Sequence, residues 1–457
     1  MFYFQQLNLL REALIVLNHV DVVIVGAGLS GLAAGWELRK HGKSFAILEA
    51  QNRIGGRILT ITHQDSTIDL GAQWISPFQP RIQSLLKFFN IKTIPSYKQG
   101  KTIYDLHNKR MLSSKTSPPV SPQGMLDLFL TRKKIHQLTK LIQKEGLLHS
   151  PLMREYDALT MDSWIERQMF SKYGKAFFRI FCEELSSLEL SEFSFLDILW
   201  FIQSAGGMDQ ILTAEDMWIT NGAQTLPLRM AKIMQDHIYL NKHVRKIEWR
   251  DSGATVHTDS ERWTSKKVIV AIPPAFSAKI QYNPPLPALR EQLCQRVGQG
   301  SIIKSVIIYN TPFWREDGLS GSSYYDCGPI RATMDSTTPG QPYGVLTALI
   351  GGKYARSLGR LTKEARRKEI IACIAHLFGS KALEPISVYE KDWAEDSWAR
   401  GGYAAHFATG VISEYGSALT DPVGPIHWAG TETANEWRLY MEGAIESGER
   451  AAKETLK

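Results

Sequence analysis

The stretch "VDVVIVGAGLSGLAAGWELRKHGKSFAILEA", residues 20–50, constrains this chain more than any other. Val20 to Val25 reads as the apolar run of a strand buried on both faces of a parallel sheet. "LSGLAAGWELRKHG" predicts a helix that ends at Gly42, a C-cap glycine, and "SFAILEA" predicts a second parallel strand. Between the first strand and the helix, Gly26, Gly28 and Gly31 spell G-x-G-x-x-G. The first glycine permits a tight turn, the second lets backbone approach a pyrophosphate, and the third lets helix and strand pack closely. The helix N-terminus then offers unpaired N–H groups and partial positive charge to phosphates. Glu49 ends the second strand near the offset expected of a carboxylate that binds ribose hydroxyls. Together these features predict a Rossmann-like dinucleotide-binding unit; the alternative is a glycine turn that holds no ligand.

A chain of 457 residues exceeds what one core usually holds, so two domains or more are expected. With 44% apolar and 22% charged residues, a disordered or fibrous chain is excluded. The net charge of +7 is scattered, with only short clusters such as "RKK" (132–134) and "EARRK" (364–368). That pattern predicts a solvated surface and no nucleic-acid partner. Cys182, Cys294, Cys327 and Cys373 form no CxxC pair, and the histidines form no spaced cluster, so no metal is assigned. A reducing cytoplasm is the expected location. Residues 1–18 are read as an N-terminal extension, either a short amphipathic helix or an artefact of the start codon. They lack the basic start of a signal peptide, and Arg11 and Glu12 interrupt them. Elsewhere no run approaches the ~20 apolar residues of a membrane span, so no transmembrane anchor is expected.

Residues 113–124 read as a Pro/Ser loop. Beyond it Met125, Leu128, Phe129, Ile135, Leu138, Leu141 and Ile142 recur at helical spacing, and helices are expected to about residue 215. The Met and Phe residues there are read as core. Strands follow over 238–272, with a turn at 251–253, and again over 301–350, before a helix in "LTKEARRKEIIACIAHLFG". These blocks interrupt the nucleotide-binding pieces, so the domains are expected to be discontinuous. One is drawn from 19–90, 219–292 and 396–457, the other from 91–218 and 293–395.

"RIGGR" (53–57) follows Glu49. Its glycines, Gly56 among them, let the chain pass close to a large cofactor, and Arg53 or Arg57 can neutralise a diphosphate. This second contact favours FAD over a nicotinamide cofactor. "STIDLGAQWI" (66–75) predicts a strand that breaks at Gly71 and presents Gln73 and Trp74. "IHWAGTETA" (426–434) predicts a strand followed by Gly430, Thr431 and Glu432. "YMEGAIESGERAA" (440–452), with Met441 at its start, predicts a helix whose N-terminus can stabilise negative charge on a reduced flavin ring.

With "AIPP", "NPPLP", "SIIKSVIIYNTPFW", "ALEPISVYEKDW" and "ARGGYAAHF", these pieces span residue 20 to the C-terminus. The chain resembles the flavin-containing amine oxidases, most closely the monoamine oxidases; residues 113–225 match least clearly. The resemblance implies an α/β fold, with a Rossmann-like FAD-binding domain and a second substrate domain of mixed sheet plus helices. It implies oxidative deamination of a primary or secondary amine to an imine and then an aldehyde, with oxygen reduced to hydrogen peroxide. An L-amino-acid oxidase, a polyamine oxidase and a flavin-bound interaction protein with little turnover are the alternatives. A homodimer is a further expectation.

The resemblance also assigns residues. Lys304 shares a strand face with Ile302, Val306 and Ile308, which predicts a buried lysine with a lowered pKa; the alternative is a lysine snorkelling from an edge strand. In the family this lysine holds a water beside the flavin. Tyr403 and Tyr440 match the aromatic pair that flanks the amine, Trp393 the tryptophan beside the isoalloxazine, and Val244 the valine whose backbone meets adenine. Glu432 is implied near the ribityl and phosphate groups. Ile211 and Leu212 stand where relatives line the substrate cavity. Gly402 replaces the cysteine that carries covalent flavin in animal monoamine oxidases, so FAD is expected to be non-covalent. Gly401 and Gly402 are expected to give backbone access to the flavin. Arg438 departs from a small residue of many relatives and is a candidate for the pocket rim or for an acidic group.

Overall fold

Val23 and Ile24 are fully enclosed, as a strand in the middle of a parallel sheet requires. The computed structural model describes residues 16–457 except 65, 116 and 149. The expectation for the N-terminal extension therefore lies outside the described residues up to 15. From Val16 the chain is already strand, four residues earlier than the apolar run suggested, and Val16 pairs with Glu261. The sequence hid this start because the segment is amphipathic, with Leu17 exposed.

The described chain divides into two units. The first comprises residues up to Gly56, Leu226–Gln295 and Ser417–Lys457. Its eight-stranded sheet runs Ile238–Tyr239, Phe45–Leu48, Val16–Val25, Glu261–Val270, Gly253–His257, Lys246–Arg250, Gln281–Asn283, with Ile426–Trp428 also paired to Glu261–Val270. The strands around Val16–Val25 are parallel, and the hairpin turning at 251–252 is antiparallel. Helix Leu29–Lys40, followed by Gly42 at φ +64°, packs on helix Met441–Thr455. The approach is so close that a Cβ on Gly448 would lie 2.1 Å from the Ser30 carbonyl oxygen.

The second unit comprises Arg57–Thr225 and Arg296–Gly416. Its seven-stranded sheet runs Ser387–Asp392, Ile302–Tyr309, Gly344–Gly351, Ala332–Asp335, Leu319–Tyr325, Lys101–Leu106, Lys109–Ser113. Pairing is antiparallel except between Leu319–Tyr325 and Lys101–Leu106. Strand Ile302–Tyr309 is buried on both faces. Ile303 and Ile307 join a core with Ile370, Ile374 and Leu377 of helix Lys363–Phe378, while Val306 and Ile308 pack on Ile68 and Leu70.

The unit boundaries differ from those expected. Residues 57–90 fall in the second unit because strands Thr60–His63 and Ser66–Asp69 pair with each other and lay Ile68 on its sheet. Residues 396–416 join it as well, since strand Ala405–Phe407 pairs with Val297–Gln299. The helical block is present as Pro122–Glu145, Lys172–Ser186 and Phe195–Ser204, each begun by a serine whose hydroxyl accepts a first-turn amide. Met125 and Phe129, expected in the core, are exposed. On that helix the buried stripe is Asp127, Thr131, Ile135, Leu138 and Ile142, and Asp127 accepts the amides of Phe170 and Ser171. The first turns of the buried face thus go to a carboxylate that holds the start of helix Lys172–Ser186, and Met125 and Phe129 fall outside that face. Among the described residues no helix is long and apolar enough to cross a membrane.

Candidate active site

In the first unit the three motif glycines answer to two different demands. Gly26 has φ +99°, and a Cβ there would meet Ile272 at 2.8 Å. A Cβ on Gly31 would lie 1.9 Å from the Gly26 carbonyl oxygen. Both are required by the protein's own packing. Around Gly28, by contrast, no described atom lies within 4 Å of an added Cβ. Gly28 is also the N-cap of helix Leu29–Lys40, whose first turn holds no acidic residue. Open space beside free first-turn amides fits a phosphate group.

The "RIGGR" loop rests on this turn. Gly55 N–H donates to the Ala27 carbonyl at 2.9 Å, and a Cβ on Gly56, at φ +58°, would come within 3.3 Å of Gly28 Cα. Arg53 donates to the Gly56 carbonyl at 2.8 Å, which fixes the loop. Glu49 is buried; its oxygens accept the amides of Ala27 at 2.7 Å and Gln51 at 2.8 Å. Burial pushes its carboxyl above the usual range, and these two amides oppose that rise. Val244 is enclosed in the core beside Ile247. Gly430 N–H donates to Ser30 Oγ at 2.9 Å, and Thr431 Oγ1 donates to the Tyr440 carbonyl at 2.8 Å. Tyr440 caps helix Met441–Thr455 and sets its ring edge-on to Trp437, centroids 5.3 Å apart. Glu432 and Arg438 are fully buried, and Arg438 Nε donates to the Glu432 carbonyl.

In the second unit the centre is Lys304. Its strand is not an edge, and the residue is 3% exposed, so the side chain does not snorkel. Nζ donates to Gln73 Oε1 at 2.8 Å and to the Gly71 carbonyl at 3.0 Å, and stands 4.7 Å from the centre of the Trp74 ring. Burial pulls the ammonium down to about 7, opposed by the charge of Asp69. Asp69 is itself buried and accepts from Thr60 Oγ1 and the Ala223 amide. A lysine poised near neutrality can take or give a proton at physiological pH.

The same unit holds an aromatic shelf. Trp393 Nε1 donates to the Leu70 carbonyl at 2.9 Å, and its ring packs with Ile302, Leu349 and Ala399, against which Tyr403 lies. Arg57, a diphosphate candidate by sequence, donates to the Tyr403 carbonyl at 3.0 Å. The glycines before Tyr403, expected to give backbone access to the flavin, are also crowded by the protein itself. A Cβ on Gly401 would lie 2.3 Å from the Gly300 carbonyl oxygen, and one on Gly402 would lie 2.9 Å from Ile302. Contact between protein segments demands both. Ile211 is buried and Leu212 is 53% exposed.

Sequence reasoning missed a cavity of about 110 Å³ in this unit, lined by Asp69, Gln73, Trp218, Ser336, Thr338 and Gln341 among others. The one available signal was Asp69, a carboxylate at the end of strand Ser66–Asp69 just before the break at Gly71. Ser336 and Trp218 come from distant segments with no local mark.

Residues 29–456 match the family of flavin containing amine oxidoreductases. Over 441 residues the chain is 34% identical to a probable flavin-containing monoamine oxidase A of Dictyostelium discoideum, covering 95% of this chain and 97% of that one. It is 34% identical over 449 residues to the flavin-containing amine oxidase B of Homo sapiens, covering 96% and 86% respectively. Among solved structures it resembles putrescine oxidase bound to putrescine, with TM-score 0.93 and 34% identity over 96% of this chain and 99% of that one. Cyclohexylamine oxidase from Brevibacterium oxydans IH-35A gives TM-score 0.90 and 27% identity over 95% and 98%. By its sequence and its fold, the chain belongs to the flavin-containing amine oxidoreductases and is an oxidoreductase of amines.

Proposed function

We propose that this protein oxidises an uncharged primary or secondary amine to an imine, which hydrolyses to an aldehyde, with non-covalent FAD as cofactor and oxygen reduced to hydrogen peroxide. The observation that carries the reading is Lys304, a lysine buried inside a central strand and held by Gly71 and Gln73. A protein that only bound flavin would gain nothing from that desolvated amine.

Bound flavin supplies the two-electron acceptor. The rest falls to the chain. The Gly26–Gly31 turn and the amides of helix Leu29–Lys40 hold the diphosphate, with Glu49 on the ribose and Val244 at the adenine. Tyr403 and Tyr440 are the rings proposed to meet the amine, and an electron-rich face favours its ammonium form on approach. Lys304 holds or moves a proton at Nζ. Gly402 offers no thiol for a covalent link, which supports dissociable FAD. All four cysteines are free, in keeping with a reducing cytoplasm. A diamine is the second reading, favoured by the likeness to putrescine oxidase bound to putrescine.

The test is an anaerobic absorbance titration of the purified protein with benzylamine, a longer aliphatic monoamine, putrescine and an L-amino acid. Bleaching by a monoamine supports the first reading, and bleaching by putrescine alone moves it to the second. Bleaching only by the amino acid, or reduction by dithionite and none of the four, overturns both.

A further inference from the structure

Lys304 is bound by a short chain of hydrogen-bonded side chains. Nζ donates to Gln73 Oε1 at 2.8 Å, Gln73 Nε2 donates to Ser336 Oγ at 3.3 Å, and Ser336 Oγ lies 2.8 Å from Thr347 Oγ1. A glutamine amide offers an acceptor at one corner and donors at the other, so what holds one corner decides what the other presents. Ser336 Oγ has a lone pair to accept from Nε2 whichever of the two hydroxyls donates, and when its proton goes to Thr347 none is left to donate to a flipped Gln73 carbonyl. The carbonyl corner of Gln73 then faces Lys304.

We infer that Gln73, held in this sense by Ser336 and Thr347, is a positioning residue that presents Lys304 as a proton acceptor. A neutral amine has two N–H bonds and one lone pair. The Gly71 carbonyl and Gln73 Oε1 occupy the two N–H bonds. The lone pair is left in the remaining tetrahedral direction, where it can take a proton from a substrate ammonium. In that step R–NH₃⁺ becomes R–NH₂ and the lysine amine becomes ammonium, with no electron transferred. A flipped Gln73 would turn an NH₂ group on Lys304 and draw the lone pair to itself.

Two charged neighbours bear on this lysine. Asp69 acts on it from strand Ser66–Asp69. Lys391 stands opposite it on strand Ser387–Asp392 and is paired to Asp396 at 2.7 Å. Neither touches the Gln73 arm in a described hydrogen bond. Gln73, Ser336 and Thr347 also line the polar cavity, so trimming them enlarges existing space and opens no new void in the core.

The inference rests on the amine-oxidase reading only for its effect on turnover, so the two are tested separately. The test for the arm is a pH titration of the holoenzyme labelled with ¹³Cε-lysine, followed by NMR. The Lys304 signal is identified by its loss in Lys304→Met. Its midpoint is expected near 7 in the parent protein. Gln73→Glu should raise the midpoint and Gln73→Leu lower it, each by about one pH unit, because an anion favours and a lost acceptor disfavours the ammonium. Ser336→Ala and Thr347→Val should lower it by a smaller amount, although neither touches Lys304. Thr347→Val preserves side-chain shape and serves if the Gln73 variants fail to fold. A midpoint unmoved in folded Gln73→Leu, or in folded Thr347→Val, overturns the inference. The pH profile of anaerobic flavin reduction by the best amine then tests Lys304 itself. A limb that moves with the NMR midpoint supports its part in catalysis. A midpoint that moves without the limb leaves the arm standing and removes Lys304 from the proposed reaction.

Discussion

The amide of Ala27 donates to Oε2 of Glu49 at 2.7 Å, across 22 residues of sequence. The glycine turn and the carboxylate that ends the next parallel strand are therefore one object. The same carboxylate ties down Gln51, where the chain leaves for the "RIGGR" loop. A group that binds two protein amides while buried has a structural duty as well as any duty to ribose.

Glu49→Gln separates these duties. It keeps one acceptor oxygen and replaces the other with a donor that opposes an amide. Unfolding of the apoprotein in urea should show a loss of about 1–2 kcal/mol. FAD affinity, read from the fluorescence of free flavin, should fall roughly tenfold or more. Unchanged affinity together with lost stability would leave Glu49 a purely structural residue.

Gly28 and Gly31 should respond in opposite ways to alanine. Gly31→Ala places a methyl 1.9 Å from a backbone oxygen, so the turn must open, and a loss of about 3 kcal/mol or more is expected. Gly28→Ala meets open space at φ −66°, a conformation alanine adopts, and should cost about 1 kcal/mol or less. It should nonetheless weaken FAD binding, because the methyl fills the space left for the phosphate. Thermal melts of the apoprotein with and without added FAD distinguish the two variants.

Lys304 makes stability depend on pH with a definite sign. Its folded pKa is about 7, against about 10.4 for an unfolded lysine. Between these values the unfolded chain holds a proton that the folded chain has released, so stability rises with pH. The penalty of burying the ammonium is fully present below pH 7 and is gone above the unfolded value. The slope due to this one group approaches about 1.4 kcal/mol per pH unit in the middle of the window. Urea unfolding of the apoprotein at pH 7, 8 and 9 should show that slope as the difference between the parent and Lys304→Met. Parallel curves would mean that the lysine stays charged when folded.

Tyr440 tests the aromatic reading. Tyr440→Phe keeps the ring face and should leave the rate of flavin reduction by a simple amine within about threefold. Tyr440→Ala removes it and should lower kcat/KM about tenfold or more. Both variants must retain bound FAD for the comparison to hold, which the visible spectrum checks. Equal rates in all three proteins would assign Tyr440 to packing against Trp437.

Legibility of this protein followed the range of the interactions. Gly26, Gly31, Glu49 and helix Leu29–Lys40 were readable because turn, strand and helix are neighbours in sequence and each constrains the next. Alternation named the neighbours of Lys304, the resemblance favoured burial over an edge-strand lysine, and the strand proves to be buried on both faces. Strand Val16–Val25 began earlier than its apolar run because hydrogen bonding to Glu261–Val270 extends past the residues that need burial. The crowding of Gly401 and Gly402 left no mark in the sequence because the atoms beside them, on Gly300 and Ile302, lie a hundred residues away.

By itself, then, the sequence determined the α/β class, the glycine turn with its carboxylate, the family and the identity of the buried lysine. The class and the turn follow from local backbone chemistry and short-period patterning, while the family and the lysine follow from the resemblance of the motifs. Only the tertiary structure decided that residues 57–90 join the second unit, that Gln73 faces Lys304, and that Ser336 and Thr347 stand behind Gln73. A hydrogen bond between segments over two hundred residues apart leaves no periodicity in the chain. It exists because strand pairing brings those segments together and burial obliges their polar atoms to find partners.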